Sequence, residues 1–402
     1  MARKLKRDMT MEEQLARGPL DLPFLTLVLL LTGIGVIMVF SASYPTAITE
    51  DVSPTTYFVK QAIFAVGGTV IMLFVSKINY QRFRWMSVFV LIGSIGLLIL
   101  VLIPGIGEAH GGAQRWIRAI GPLPSFQPSE IAKVGVIMYF AARLSKRNQR
   151  KPLQFNRRSY LYAPATLLER TGFFELVPYG AILLLIAVLM YFEPHMSGTI
   201  LILVGGAAVL FASGINLTWP ALMGGVGGVG LLTVIFFTPY MKTRMDTWLD
   251  PWSDVSDKGY QITQSLMTIG SGGLVGVGLG KGRQKFGFLP ESENDFIFSV
   301  VCEELGLIGA SVILLLFALL VVRGFWISIH ARDRFGALLT VGITTLLAVQ
   351  VLLNISVVTN LLPTTGISLP FFSYGGTALI IQLAEMGMVL SVSRQIPAPK
   401  QE

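Results

Sequence analysis

The acidic stretch Phe288-Leu-Pro-Glu-Ser-Glu-Asn-Asp295-Phe-Ile-Phe298 runs directly into a long apolar segment, residues 299–320. A carboxylate there sits where water meets bilayer, and at the mouth of a membrane helix an acid must be capped, paired or used. Two readings compete for Asp295. It is either the N-cap of the following helix, a position that favours aspartate, or the proton acceptor of a reaction on a lipid-linked substrate. Glu130 and Lys133 stand three apart, the spacing at which a helix pairs opposite charges, so they either neutralise each other or line a polar cavity. Glu303 and Glu304 fall about 12 Å below Asp295 by helical rise, with no lysine or arginine close in sequence. At least one of them needs a partner from another helix or a proton. Gln350, Asn354, Gln382 and Glu385, in the last two apolar segments, are read as structural hydrogen-bonding groups.

The elements that must position these residues are membrane helices. Of the 402 residues, 53% are hydrophobic and 13% charged, against about 25% charged in soluble domains, and the mean hydropathy is +0.66. Apolar runs long enough to cross about 30 Å of hydrocarbon lie near residues 22–43, 57–76, 85–104, 129–144, 175–192, 197–213, 217–238, 297–322, 336–358 and 373–392. The chain therefore reads as an all-α polytopic membrane protein of about ten transmembrane helices, a single integral membrane domain over residues 1–402. Residues 1–21 and 393–402 are its tails.

Lysine and arginine in the short loops set orientation. Arg3, Lys4, Lys6, Arg7 and Arg17 precede the first span; Lys77, Arg82 and Arg84 follow the second. A cluster from Arg143 to Arg170 follows the fourth, and Arg323, Arg332 and Arg334 follow the eighth. All fall on one side of a ten-span arrangement, so that side and both termini are expected in the cytoplasm. The net charge of +8 is then topology signal and attraction to anionic lipid, and no nucleic-acid partner is expected. The first apolar run exceeds the usual signal-peptide core and reads as an uncleaved span. Cys302, the single cysteine, excludes an internal disulfide.

Two outward segments remain, residues 105–128 and the large loop 239–296 between helices seven and eight. The second is too long for a plain connection. It opens with charges mixed with tryptophan, as an interfacial segment would, and contains the possible amphipathic helix 260–268. The glycine-rich run Gly270-Ser-Gly-Gly-Leu-Val-Gly-Val-Gly-Leu-Gly-Lys-Gly282 fails as a phosphate loop, because Val275 and Gly282 stand where glycine and serine or threonine are needed. A re-entrant turn lining a cavity is expected instead. Gly224-Gly-Val-Gly-Gly228 offers spacing for close helix packing.

Several motifs together resemble the SEDS family (shape, elongation, division, sporulation). They are Ala113-Gln-Arg-Trp-Ile117, Phe126-Gln-Pro-Ser-Glu-Ile-Ala-Lys133, Asp250-Pro-Trp-Ser-Asp254 with Gly259-Tyr-Gln261, Phe288-Leu-Pro-Glu291 with Asp295-Phe-Ile-Phe298, Glu303-Glu-Leu-Gly306, and residues 361–376 around Pro363-Thr-Thr-Gly366 and Ser373. The Pro-Thr-Thr-Gly and Trp252 motifs look more like the division and sporulation branch, FtsW and SpoVE, than like RodA. The resemblance implies a peptidoglycan glycosyltransferase that polymerises lipid II at the outer face of the bacterial cytoplasmic membrane, at the septum or in sporulation. Its expected partners are a class B penicillin-binding protein as transpeptidase, other division proteins, and the undecaprenyl diphosphate-linked glycan. Asp295 falls on the family's essential acid, Glu130 and Lys133 on its paired cavity charges, and Ser373 on a motif expected to meet substrate. Two departures stand out. The usual Gln-Pro-Asp-x-Gly-Thr reads Glu193-Pro-His-Met-Ser-Gly-Thr199, with His195 where the acid is expected, and the usual Asn-Gly-Ala reads Gly111-Gly-Ala113.

The chemistry asks for a base near an attacking sugar hydroxyl and positive charge near a departing polyprenyl diphosphate. Asp295 can be the base. Arg115, Arg118, Lys281, Arg283 and Lys285 are available for the diphosphate, alone or with a divalent cation such as Mg2+ or Mn2+. Two other readings stay open: a lipid II flippase or transporter, which also needs many spans and buried ion pairs, and a non-catalytic scaffold that recruits the transpeptidase.

Overall fold

Two of the described helices open on a side-chain cap. Asp21 accepts a hydrogen bond from the Phe24 N–H at 3.0 Å, with proline in the first turn, and opens α1 (Leu22–Thr49). The computed structural model describes residues 18–110, 113–119, 124–147, 171–193, 195–216, 239–257 and 259–396, with a few isolated positions between them. After α1 come α2 (Thr56–Lys77), α3 (Gln81–Val101), an antiparallel hairpin β1 (Gly107–His110) and β2 (Ala113–Ile117), α4 (Pro128–Leu144), α5 (Phe173–Phe192) and α6 (Met196–Ala212). The large loop contributes α7 (Pro239–Leu249) and α8 (Tyr260–Ser271), followed by α9 (Ile297–Ile329), α10 (Arg334–Val358) and α11 (Gly376–Ser393). Asp333 caps α10 by accepting from the Gly336 N–H at 3.0 Å, and it also receives the Tyr80 hydroxyl and the Gln81 amide, each at 2.8 Å.

Seven of the described helices, α1, α2, α3, α5, α9, α10 and α11, are long and apolar enough to cross a bilayer; α6 is a shorter apolar helix. Nine of the ten apolar segments expected from the sequence coincide with helices. Segment 217–238 lies almost wholly outside the described residues.

The buried core of the bundle is apolar, and α2 shows how its lipid-facing and bundle-facing sides divide. Along α2, Gln61, Ala65, Gly68, Met72 and Ser76 are buried, while Ile63, Val66, Val70 and Phe74 are exposed. Small and polar side chains therefore face neighbouring helices and branched apolar ones face lipid, the pattern expected when lipid is as apolar as leucine. The close approach is to α11: a Cβ on Gly68 would lie 2.6 Å from Leu383 Cδ1, and one on Gly387 would lie 2.6 Å from the Met72 carbonyl. At Gly224, Gly225 and Gly228 an added Cβ would meet nothing within 4 Å. Most of the segment that carries that run lies outside the described residues.

The α9 helix is broken at Gly306, which adopts φ +68° and ψ −173°. The glycine-rich run folds back beside this break. Val277 and Gly278 N–H groups donate to the Glu303 and Glu304 carbonyls at 3.0 Å, and Leu307 and Ile308 N–H groups donate to the Gly273 and Leu274 carbonyls at 2.9 and 3.1 Å. Backbone freed by the break is satisfied by backbone of the loop, as it must be at membrane depth. Contact is so close that a Cβ on Gly276 would fall 2.2 Å from the Glu304 carbonyl. The re-entrant turn expected from the sequence is present, but it packs along α9 and contributes no lining residue to the polar cavity described below.

Candidate active site

The C-terminal ends of α5 and α10 and the N-terminal ends of α4, α6, α9 and α11 lie at one end of the bundle, where the hairpin packs on α3 and α4. Between α4, α10 and α11 lies a polar cavity lined by Glu130, Lys133, Gln350, Ser373, Gln382 and Glu385, among others. Lys133 Nζ is 2.8 Å from Glu130 Oε2, with side-chain exposures of 3% and 16%. Their spacing thus produces both expected outcomes, an ion pair and a cavity wall.

Asp295 sits just above the first turn of α9 and does not cap it. The N-cap position belongs to Phe296, and no side chain bonds the first turn. The backbone around Asp295 is fixed from three directions. Asn354 of α10 donates from Nδ2 to the Asp295 carbonyl at 2.8 Å and to the Ile367 carbonyl at 2.7 Å. Ser373 Oγ donates to the Asn294 carbonyl at 2.8 Å, and the Tyr374 N–H donates to the Glu293 carbonyl at 2.8 Å. The Asp295 carboxyl is left partly buried and uncommitted, against Gly366, where φ is +72° and a Cβ would lie 3.2 Å from Oδ2. Burial and the neighbouring Glu291 charge push its pKa up to about 6, with Arg115 acting in the opposite sense. That places it where a base is both ionised and proton-seeking near neutral pH.

Arg115, carried on β2, is the positive charge common to this end of the bundle. It acts on Asp295, on Glu193 and on His195. Glu193, at the end of α5, is fully buried, and neither carboxyl oxygen has a hydrogen-bond partner among the described residues. Burial raises its pKa to about 8 against the opposing pull of Arg115, so it is a neutral acid near pH 7. His195 is held neutral by burial and then by Arg115 and Lys133, with its pKa lowered to about 3. The Gln127 amide nitrogen lies 3.2 Å from its Nε2, and its ring fills the space over Gly198, where a Cβ would fall 2.5 Å from Cε1. The Glu-Pro-His-Met-Ser-Gly variant is therefore internally fitted: the ring needs the glycine beneath it.

Lys285 requires a correction. Expected to meet a diphosphate, it is instead buried in an ion pair, 2.6 Å from Glu304 Oε1, with Nζ also 2.7 Å from Ser41 Oγ. Glu304 further accepts from the Ser41 hydroxyl at 2.7 Å and from the Gly280 and Gly282 N–H groups at 3.0 and 3.3 Å. Glu303 accepts from the Arg283 and Gln284 N–H groups at 2.8 and 3.3 Å. The partners for these two acids thus come from the re-entrant loop and α1. Lys281 and Arg283 are exposed on that loop and do not line the cavity. Ser373 does line it, but its hydroxyl also accepts from the Leu369 N–H at 2.7 Å, so it braces two loops as well as facing the cavity. Gln61 of α2 was not singled out by sequence reasoning; it is fully buried and bonds the Ser373 carbonyl at 3.3 Å and the Gly375 N–H at 3.4 Å. A glutamine inside an apolar span was the available signal.

At one end of a bundle of apolar helices a Glu–Lys pair lines a polar cavity, and Asp295 and Arg115 stand outside that lining, Asp295 next in the chain to the Asn294 carbonyl that the cavity residue Ser373 bonds; this is the architecture of an integral membrane protein. The chain belongs to the FtsW, RodA and SpoVE family of cell cycle proteins, whose family model matches residues 22–397. It is 43% identical over 385 residues to a probable peptidoglycan glycosyltransferase FtsW of Geobacter metallireducens, covering 94% of this chain and 95% of that protein. It is 39% identical to stage V sporulation protein E of Bacillus subtilis, covering 93% and 97%. Its fold matches a chain of a solved peptidoglycan synthase complex that couples polymerization and crosslinking, with TM-score 0.71 at 28% identity over 95% of this chain and 99% of that one. Thermus thermophilus RodA matches with TM-score 0.64 at 26% identity over 94% and 98%.

Proposed function

We propose that this protein is a peptidoglycan glycosyltransferase that polymerises lipid II at the outer face of the cytoplasmic membrane in cell division or sporulation, with Asp295 as general base. The observation that carries the reading is the Asp295 carboxyl itself: it is partly buried and caps no helix, while Asn354 and Ser373 hold the backbone beneath it through the carbonyls of Asp295 and Asn294. In the reaction a sugar hydroxyl of one lipid-linked saccharide attacks the anomeric carbon of another. The new C–O bond forms as the bond to diphosphate breaks, and the hydroxyl proton passes to Asp295. Arg115, whose charge acts on Asp295, can meet the leaving group, which needs little protonation. Among the described residues no three His, Cys, Asp or Glu side chains come together as a metal site. A divalent cation in this reading arrives with the diphosphate, whose oxygens are its natural ligands.

The solved synthase complex that couples polymerization and crosslinking supports a class B penicillin-binding protein as partner, and the septum as the place of work is part of the same proposal. The broken α9 adds to the buried ion pairs as an observation that favours a transporter, since unwound helices build ion sites in such proteins. Against it, the carbonyls of Glu303 and Glu304 are already occupied by the re-entrant loop. The test is polymerisation of labelled lipid II by purified protein, with and without a transpeptidase partner. Wild type is expected to make glycan, and Asp295→Asn to lose about 10²-fold to 10⁴-fold in rate while remaining folded. Asparagine caps a helix as well as aspartate does, so near wild-type turnover by Asp295→Asn would remove the base assignment.

A further inference from the structure

Two glutamines line the polar cavity, and each commits one end of its amide to the loop between α10 and α11. Gln350 of α10 donates from Nε2 to the Ser368 carbonyl at 3.1 Å and to the Ser368 hydroxyl at 3.3 Å, which occupies both of its amide hydrogens. Gln382 of α11 accepts the Phe371 N–H on Oε1 at 3.0 Å. The backbone partners fix which end is which, since a carbonyl takes only the NH2 end and an N–H only the oxygen. Gln350 is therefore left with an acceptor, Oε1, and Gln382 with a donor, Nε2. Neither atom has a hydrogen-bond partner among the described residues.

An acceptor on one helix and a donor on another suit a group whose own N–H and C=O point apart, which is the geometry of a trans secondary amide. Leu369, Ala378 and Leu379 add an apolar stretch to the same lining. The cavity volume is about 30 Å³, room for two or three water-sized groups, so it fits a substituent and not a whole sugar ring. Glu130 and Lys133, paired at 2.8 Å, neutralise each other and leave no free ammonium there for a phosphate. The position relative to the base is also suitable. Gln350 stands four residues before Asn354 on α10, about 6 Å by rise, and Asn354 holds the Asp295 carbonyl.

We propose that Gln350 and Gln382 form a subsite for the acetamido group of a lipid-linked amino sugar. Gln350 Oε1 accepts from the acetamido N–H, Gln382 Nε2 donates to its carbonyl, and Leu369, Ala378 and Leu379 receive its methyl. The two glutamines thus determine specificity for the sugar whose hydroxyl Asp295 deprotonates. The inference rests on the glycosyltransferase reading for the identity of that sugar.

The test is direct binding of fluorescent lipid II to the purified full-length protein, alongside two analogues altered on the sugar that bears the attacking hydroxyl. In one the acetamido group is replaced by a hydroxyl, in the other by a free amine. Wild type is expected to bind both analogues about tenfold more weakly, because neither can pair both glutamine ends at once. In Gln350→Met and Gln382→Met that preference should shrink to about twofold or less. Glutamines that merely hold the loop would weaken all three ligands alike and leave the preference intact. Ala378→Val keeps both loop contacts but takes up the space for the methyl; it should shrink the preference too, and it decides the matter if a methionine variant does not fold. Equal binding of the three ligands by wild type would overturn the proposal, as would an undiminished preference in folded Gln382→Met or Ala378→Val. Wild-type protein that binds lipid II with the expected preference but makes no glycan would support the subsite and count against the glycosyltransferase reading.

Discussion

Asp295 is the residue on which the proposed chemistry turns, and its environment predicts a pH profile. A carboxyl raised to about 6 is protonated below that pH and cannot accept a proton, so kcat/KM should fall tenfold per unit on the acid side of about pH 6 and level off above it. The neighbours set where the limb lies. Removing the Glu291 charge with Glu291→Gln takes away an effect that raises the pKa and should move the limb to lower pH. Removing the opposing charge with Arg115→Met should move it to higher pH. Initial rates from pH 4.5 to 8 check both directions, and a limb that ignores both substitutions would mean that Asp295 is not the titrating base.

The loop that delivers Asp295 is an element anchored by buried charge. Lys285 and Glu304 are within 1% of complete burial, and breaking such a pair from one side costs about 3 to 5 kcal/mol, more than an apolar replacement of both. Lys285→Met is therefore expected to lower the melting temperature in detergent markedly, and Lys285→Met with Glu304→Gln to recover most of the loss. The neutral glutamine still offers a carbonyl to the Gly280 and Gly282 N–H groups. A silent Lys285→Met would show that the pair is hydrated and not an anchor. At the helix break, Gly306→Ala meets two penalties, a positive φ that alanine rarely adopts and a Cβ 2.2 Å from the Gly276 nitrogen. It should destabilise the protein more than Gly270→Ala on the same loop, where an added Cβ meets nothing within 4 Å.

Orientation belongs to the molecule as a whole. In a Cys302→Ser background, a cysteine at Asp257, exposed in the large loop, should react with an impermeant maleimide in intact cells. One at Arg332, exposed between α9 and α10, should react only after permeabilisation. The reverse pattern would place the Asp295 end of the bundle in the cytoplasm and end the lipid II reading.

Much of this molecule was readable along the chain. Apolar runs along the chain located nine helices, seven of which reach the length a bilayer crossing needs. Glu130 and Lys133 were readable as a pair because three residues is a helical contact distance. Asp295 was readable as a residue of interest, but not as an uncapped one, since only the observed start of α9 at Ile297 separates a cap from a base. Contacts between distant segments were not readable at all. Gln61 meets Ser373, Asn354 meets Asp295, and Lys285 turns inward to Glu304 instead of outward to a phosphate. Local spacing settles which residues share a helix face, because the rise and turn of a helix are constant. Which faces then meet depends on how closely small residues such as Gly68 and Gly387 let helices approach, and on where freed backbone finds a partner, as Gly306 does in the re-entrant loop. Those are properties of the packed bundle, so the sequence determined the helices and their charged pairs, and tertiary packing alone decided which buried charges hold the fold and which remain open to substrate.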